Sequence, residues 1–177
     1  MPIIRPSQAN DIAAIASIYR RHVLEGTGTF EIEPPTTEDM SHRRAEVLAR
    51  GLPYLVAESQ GSVVGFAYCN WFKPRPAYRF SAEDSVYVDT AVHRSGIGRA
   101  LLTELLAAAQ RAGVRKMIAV IGDSRNRGSV SLHRAVGFEP AGVLTACGWK
   151  FDQWLDVVMM QYSLGSGDSS APTDLRT

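Results

Sequence analysis

Residues 93–99, which read HRSGIGR, combine glycines with arginines in a pattern that suits phosphate binding. They follow a strand-like run, Ser85–Asp89, and open an apolar helical pattern that continues to about residue 112. The first N–H groups of a helix lack internal partners, the helix dipole adds partial positive charge there, and glycines let an anion approach the backbone closely. Arg94 and Arg99 add formal charge. The pattern therefore predicts a phosphate or pyrophosphate site, with a ligand-free strand-to-helix turn as the alternative.

Two common nucleotide-binding motifs do not fit these letters. The dinucleotide-binding fingerprint requires a third glycine or an alanine at position 101, where this chain has Leu101. The phosphate loop of nucleotide hydrolases requires Gly-Lys-Ser/Thr, which the sequence lacks. The glycine turn by itself leaves the phosphate ligand unnamed.

The elements that must position this turn predict one mixed α/β sheet. Apolar residues recur at helical spacing in some segments, whereas β-branched and aromatic residues dominate others. From Gly165 onward the chain is rich in Gly, Ser, Pro and Asp, so we expect a domain over 1–164 and a disordered tail over 165–177. The predicted strands are near 3–5, 54–58, 63–72, 83–89, 114–121, 139–149 and 154–162, and the predicted helices are near 12–23, 37–49, 97–112 and 129–136.

Composition narrows the class of protein. The chain has 177 residues and 45% apolar residues, which suits one globular domain. Its formal net charge is +1, whereas a dedicated nucleic-acid-binding domain usually has a clear basic excess. No apolar run approaches the roughly 20 residues that span a bilayer. We therefore expect no nucleic-acid partner, no membrane span and a cytoplasmic location.

The cysteines and histidines predict neither a disulfide framework nor a metal site. Cys69 and Cys147 are far apart and lie in apolar, strand-like runs, so we expect buried thiols. His22 and His42 fall in predicted helices without metal-ligand spacing.

Residues 88–102 resemble the acetyl-CoA signature of the GNAT N-acetyltransferase superfamily, Gln/Arg-x-x-Gly-x-Gly/Ala after the fourth strand. His93 stands where that signature has Gln or Arg, a change at a position where the family uses mostly backbone N–H groups. The resemblance extends over about residues 3–162 and points to the phosphinothricin and methionine-sulfoximine N-acetyltransferase branch. The stretches that carry it are 18–19, 27–30, 73–78, 83–88, 126–133, 148–150 and 154–157.

The resemblance implies a GNAT fold, in which a mixed central sheet flanked by helices splays between its fourth and fifth strands. Pantetheine lies in that gap, and acetyl-CoA is the acetyl donor. Asn126 stands where the family places an asparagine that touches the pantetheine arm. The cofactor-binding residues that the resemblance implies are Val86, Tyr87, Val88, Arg94, Ser95, Gly96, Ile97, Gly98, Arg99 and Asn126.

The implied reaction is attack of a neutral amine on a thioester. An α-ammonium group has no lone pair, so a base must take its proton, directly or through water. Glu83, which stands where the family has a carboxylate near the amine, is the first candidate. His133 is the second, with a helix-face histidine bound to a backbone carbonyl as the alternative. The departing thiolate needs an acid or positive potential, because a free thiol has a pKa of ~8.5.

An amino-acid acceptor also needs a partner for its carboxylate. Arg75 suits this role, since a guanidinium binds a carboxylate through two parallel hydrogen bonds. Phe30 and Tyr87 could pack against the acceptor side chain. The substrate-binding residues expected by resemblance are Phe30, Arg75, Pro76, Ala77, Tyr78 and Tyr87.

Three functions remain open at this point. The first is acetylation of a small amino-acid-like amine, which the short 26–35 loop favours over a peptide groove. The second is acetylation of a protein or another amine, and the third is non-catalytic acyl-CoA binding. By resemblance we also expect a homodimer whose C-terminal strands, with apolar residues near 149–160, form the interface.

Overall fold

The computed structural model describes residues 2–92 and 95–172, and it contains every predicted strand and helix. One sheet holds seven strands in the order β1-β2-β3-β4-β5-β7-β6. The strands are β1 Ile3–Pro6, β2 Tyr54–Ser59, β3 Ser62–Trp71, β4 Ser81–Val88, β5 Lys116–Gly122, β6 Glu139–Lys150 and β7 Gln153–Ser163. The helices are α1 Ile12–Glu25, α2 Thr37–Ala49, α3 Ile97–Arg111 and α4 Arg127–Val136.

The strands β4 and β5 diverge in the middle of the sheet. They pair in parallel only where Ser81–Glu83 lies beside Lys116–Ile118, whereas the other neighbouring strands pair antiparallel. Beyond Glu83, β4 and β5 separate and leave a gap between them. The predicted mixed sheet, splayed between its fourth and fifth strands, is confirmed.

Helices cover both faces of this sheet. Phe66 of β3 contacts Tyr19 of α1, whereas a Cβ on Gly65, its neighbour on β3, would lie 3.1 Å from Leu101 of α3. Successive strand residues point to opposite faces, so α1 and α3 pack on opposite sides. Helical spacing of buried apolar residues, such as Leu101 and Leu105 on α3, drives this packing.

Local signals explain where several elements begin and end. Thr36 accepts from Asp39 N at the start of α2, and the Asp39 carboxylate accepts in return from Thr36 N. The predicted strand at 114 begins instead at Lys116, because Val114 N donates to Ala109 O and completes the end of α3. Gly113, at φ +85°, makes that reversal possible.

The prediction of two buried thiols is half wrong. Cys69 is fully buried, but Cys147 is exposed, and neither forms a disulfide. Cys147 lies on β6, an edge strand whose residues 139–147 are exposed in this chain. An apolar run therefore did not identify a core strand.

The described part of the tail forms turns. Arg115 donates to the carbonyl oxygens of Gly167 and Ser170. The boundary after residue 164 and the disorder expected beyond it stay predictions. Among the described residues, no helix is both long and apolar enough to cross a membrane.

Candidate active site

The gap between β4 and β5 opens into a cavity of about 810 Å³. Its walls come from the diverging strands, the N-terminus of α3, the N-terminal half of α4 and the loop that follows α1. Twelve of the residues predicted from the sequence line it: Phe30, Glu83, Val86, Tyr87, Val88, Ser95, Gly96, Ile97, Gly98, Arg99, Asn126 and His133.

Four predicted acceptor residues lie outside this lining. Arg75, Pro76, Ala77 and Tyr78 are exposed on the loop that joins β3 to β4, where Pro76–Tyr78 forms a 3₁₀ turn. Arg94, with its neighbour at position 93, lies outside the described residues. Of the residues predicted to bind the acceptor, the lining therefore includes Phe30 and Tyr87 but not the residues of this loop.

The backbone of β4 turns every second residue toward the gap. Ser81 O and Asp89 N bond to β3, whereas Phe80 O accepts from Arg115 N at the start of β5. Because this alternation continues along the strand, Asp84, Val86 and Val88 direct their N–H and C=O groups at the gap. The carbonyl of Val88 accepts from His22 Nε2 of α1 at 2.9 Å.

The N-terminus of α3 borders the same cavity. Gly96 has φ +83°, a left-handed conformation that glycine adopts without a steric penalty, and the helix begins at the next residue. The first N–H groups of α3 have no helical acceptor. A Cβ on Gly98 would lie 3.3 Å from Leu132 of α4, so this glycine lets the two helices approach closely. The arrangement is suited to an anion such as pyrophosphate.

Glu83 lies where the two strands begin to separate. Its side chain is half-buried in the cavity wall. Burial raises the pKa of Glu83, the neighbouring charge of Asp84 raises it further, and Lys73 opposes both. A raised pKa brings a carboxyl group nearer to neutrality and makes its carboxylate a stronger base.

Asp84 and His133 form a buried pair beside the cavity. His133 of α4 is 4% exposed and Asp84 is 7% exposed. His133 Nε2 lies 2.9 Å from Asp84 Oδ2, and His133 Nδ1 lies 2.8 Å from the carbonyl oxygen of Ser129. Burial favours a lower pKa for His133, but the hydrogen bond and charge of Asp84, with the Ser129 carbonyl, outweigh it and raise the pKa. Both ring nitrogens therefore face acceptors, which favours the imidazolium.

Aromatic and hydroxyl groups from α1 and its following loop form the opposite wall. Tyr19 Oη lies 2.9 Å from Thr29 Oγ1 and donates to Glu31 Oε1 at 2.8 Å. The Tyr87 ring packs edge-on against Tyr19, with ring centroids 4.9 Å apart. Burial raises the pKa of Tyr87 well above its usual range. This wall is apolar with few polar groups, as small-molecule pockets usually are.

Sequence reasoning gave no site role to several lining residues. Three of these residues are His22, Tyr19 and Tyr68. Their helix and strand patterns predict packing alone, so periodicity gives no indication that they line a cavity. Asp84 carried a weak signal, because a carboxylate between strand residues is unusual. Among the described residues, no group of three or more His, Cys, Asp or Glu side chains is arranged to hold a metal ion.

Comparison with known proteins agrees with this geometry. Residues 15–138 match the model of the Acetyltransferase (GNAT) family. The chain is 46% identical over 169 residues to a phosphinothricin N-acetyltransferase of Alcaligenes faecalis, covering 96% of this chain and 86% of that protein. It is 38% identical to an L-methionine sulfoximine/L-methionine sulfone acetyltransferase of Salmonella typhimurium, covering 91% of this chain and 94% of the relative.

A crystal structure of a GNAT phosphinothricin acetyltransferase from Sinorhizobium meliloti, in complex with acetyl-CoA, superposes with a TM-score of 0.95. The two chains are 42% identical, and the match covers 98% of this chain and 94% of the other. The chain therefore belongs to the GNAT family of acetyltransferases. Within that family it is an N-acetyltransferase that uses acetyl-CoA as its acetyl donor, and the gap, the β4 backbone and the glycine turn fit that ligand.

Proposed function

We propose that this enzyme acetylates the α-amine of a small amino-acid-like acceptor of the phosphinothricin, methionine sulfoximine or methionine sulfone type. The observation that carries the proposal is the position of half-buried Glu83, at the point where β4 and β5 separate. An amine there would meet a carboxylate on one side and the cofactor gap on the other. The names of the two relatives described above support this choice of acceptor.

The cofactor site is assigned to the gap and the helix terminus that borders it. The gap-facing backbone groups of Val86 and Val88 would bond pantetheine, and Asn126 would contact the same arm. Tyr87, whose backbone faces β3, would line the cofactor gap with its side chain. Asn126 is held for this role, because its side chain accepts from Ser129 N at the start of α4. The pyrophosphate would lie on the backbone of Ser95–Arg99, with Arg94 and Arg99 adding charge.

Glu83 is assigned the role of general base. It accepts a proton from the acceptor ammonium, directly or through a water molecule. The amine lone pair then forms a C–N bond with the thioester carbonyl carbon, and the nitrogen gives up a second proton. The C–S bond breaks, and the leaving thiolate takes up one proton, so that one proton is released to solvent overall. Holding both reactants together removes much of the entropic barrier, so no covalent enzyme intermediate is required.

His133 is assigned an electrostatic role instead of a second base. A ring whose two nitrogens both donate, to Asp84 and to the Ser129 carbonyl, has no lone pair with which to accept a proton. Its positive charge beside the cavity would stabilise negative charge that develops on the thioester oxygen and sulfur. Glu83 would then take the proton from the acceptor, and His133 would stabilise the negative charge that develops on the thioester.

The acceptor would lie between the aromatic wall and the loop before β4. Phe30 and Tyr87 would pack against its side chain. Arg75, on the exposed loop with Pro76, Ala77 and Tyr78, would pair with its carboxylate. The loop leads directly into β4, which begins at Ser81 and has Glu83 as its third residue.

A thiol-release assay with acetyl-CoA tests the proposal. The acceptor panel would contain phosphinothricin, methionine sulfoximine, methionine sulfone, free methionine and short peptides with the same first residues. We expect turnover with at least one of the first three and little with the peptides. Turnover of peptides alone would identify a protein acceptor, and absence of turnover with every amino acid would refute the proposed substrate class.

We further propose a homodimer that forms through β6. β6 is an edge strand, and exposed unpaired edges with apolar side chains tend to associate. Trp149 and Trp154 lie opposite each other across the β6–β7 hairpin, 52% and 63% exposed, with ring centroids 5.3 Å apart. The further exposed apolar residues of β6 and its turn are Val143, Leu144 and Phe151. A cytoplasmic location is proposed as well, since both cysteines are free thiols.

Replacing Trp154 with glutamate should dissociate this dimer. The charge would lie within the apolar surface and would be buried without a partner on association. Sedimentation velocity should show a dimer for the wild type and a monomer for Trp154→Glu. Leu48→Glu, a change at an exposed leucine of α2, is the control and should remain dimeric. A monomeric wild-type protein would contradict the proposed dimer.

A further inference from the structure

The buried side chain of Lys150 has no part in the chemistry described above. It lies at the end of β6 and is 3% exposed. Its Nζ donates to the carbonyl oxygens of Gly26 and Thr29, each at 2.8 Å. These two acceptors are 124 and 121 residues away along the chain. Since an ammonium group is costly to bury, these two contacts indicate a specific structural task.

The loop that Lys150 holds is the one that contributes the acceptor wall. Residues 26–30 connect α1 to the rest of the chain, and Gly28, Thr29 and Phe30 line the cavity. The carbonyl of Thr29 bonds to Lys150, while its hydroxyl bonds to Tyr19. Gly26, at one end of the segment, is therefore anchored to β6, and Thr29, near the other end, is anchored to both β6 and α1.

Phe30, in the same loop, packs against two glycines of the neighbouring strands. A Cβ on Gly148 of β6 would overlap the Phe30 ring. A Cβ on Gly122 of β5 would overlap the carbonyl oxygen of Thr27 and would lie 2.9 Å from Phe30 Cε1. The loop consequently packs directly onto the strand backbones, which only glycine permits here.

Gly148 and Lys150 lie on the same face of β6. Residues two apart on a strand share a face, so both point toward the loop, whereas Trp149 between them points to the opposite, exposed face. Burial lowers the pKa of Lys150, and the charge of Glu31 opposes that change. The β6–β7 hairpin thus contacts the 26–30 loop through the ammonium of Lys150 and through the backbone of Gly148, which has no side chain.

We propose that Lys150, with Gly148, is a positioning residue that fixes the 26–30 loop and so sets the shape of the acceptor side of the pocket. It does not touch the reacting atoms. Its loss would displace Phe30 and Thr29 while leaving the glycine turn and the β4 backbone unchanged. The kinetic part of this inference rests on the proposed amino-acid acceptor, whereas the structural part does not.

The test compares Lys150→Met with the wild type in two measurements. Methionine preserves the length and apolar bulk of the side chain but removes both hydrogen bonds. A small displacement of positioning groups can lower rates by up to about 100-fold, so we expect kcat/KM for the acceptor to fall roughly 10- to 100-fold. Because the loop forms the acceptor wall, this fall should come mainly from a higher acceptor KM. The acetyl-CoA KM should stay within about twofold of the wild-type value. Hydrogen exchange of the amides of residues 27–31, measured without ligands, should become faster.

Matched variants separate this role from general destabilisation. Lys116→Met removes a lysine whose Nζ donates to Ser163, away from the cavity, and should change neither measurement. Gly148→Ala should raise the acceptor KM with Lys150 intact, because its Cβ displaces Phe30. Lys150→Arg keeps the charge and the donors and should recover part of the loss if it folds with a wild-type Tm.

The outcomes decide between the two proposals. Unchanged hydrogen exchange of the amides of residues 27–31 in Lys150→Met would overturn the proposal that Lys150 fixes this loop, even if the wild type had no amino-acid substrate. Faster exchange with an unchanged acceptor KM would overturn the positioning role. An equal rise in both KM values would also overturn it, because a general loss of structure would explain that result. A wild type without activity on the panel would instead refute the proposed substrate class.

Discussion

Replacing Glu83 with glutamine should lower kcat by about 10²- to 10⁴-fold, the usual contribution of a positioned general base. Glutamine preserves the shape of the side chain but cannot take a proton from the acceptor ammonium. The backbone of β4, which faces the cofactor gap, would be unchanged. Steady-state kinetics should therefore show the loss in kcat, and calorimetry should show unchanged affinity for coenzyme A.

The pH profile gives a second measurement of the same residue. Only the carboxylate form is a base, so activity should fall as the pH drops through the pKa of Glu83. Because burial and Asp84 raise that pKa, the acidic limb should lie above the range of an ordinary glutamate. This limb should disappear from the residual activity of Glu83→Gln.

Glu104→Gln is the matched control for this experiment. Glu104 is a half-buried residue of α3 that pairs with Arg111 and does not line the cavity, and its replacement should leave kcat unchanged. Retention of wild-type kcat in Glu83→Gln would remove the glutamate from the mechanism. Binding of coenzyme A without turnover, in the wild type as well, would support the third function left open by the sequence, a non-catalytic acyl-CoA-binding protein.

The sequence predicted those parts of the site that depend on local chemistry. Gly96 could be recognised because a tight strand-to-helix turn needs a left-handed residue, a conformation that favours glycine. α3 could be recognised because its buried residues repeat at helical spacing. The divergence of β4 from β5 was expected from family resemblance alone, since strand pairing between distant segments leaves no mark in local periodicity.

The contacts that sequence reasoning missed join residues far apart in the chain. Asp84 meets His133 across 49 residues, and Lys150 meets Gly26 across 124. Lys150 looks ordinary as the last residue of a hairpin strand, and the unusual position of Asp84 within a strand does not indicate its partner. The sequence also gave no indication that β6 lies at the edge of the sheet, which explains why Cys147 was expected to be buried.

Replacing Asp84 with asparagine should lower the free energy of unfolding by about 3–5 kcal/mol at acidic pH, because it leaves a buried imidazolium without its counter-charge. Asparagine has nearly the same volume as aspartate, so loss of packing contributes little. Urea unfolding of the wild type and of Asp84→Asn at several pH values measures the difference. Asp168→Asn, at an exposed aspartate of the tail, should change the stability by less than about 0.5 kcal/mol.

The pH dependence of this loss identifies the charge on His133. The folded state raises the pKa of His133 above its unfolded value of ~6.5, so the stability that the pair contributes is fully present below that pH. It is lost as the pH rises through the folded pKa. A double-mutant cycle of Asp84→Asn with His133→Gln should therefore give a coupling energy that is largest near pH 6 and shrinks toward alkaline pH. A coupling energy that did not vary with pH would mean a neutral hydrogen bond between these side chains, and the assignment of His133 as a fixed cation beside the thioester would have to be abandoned.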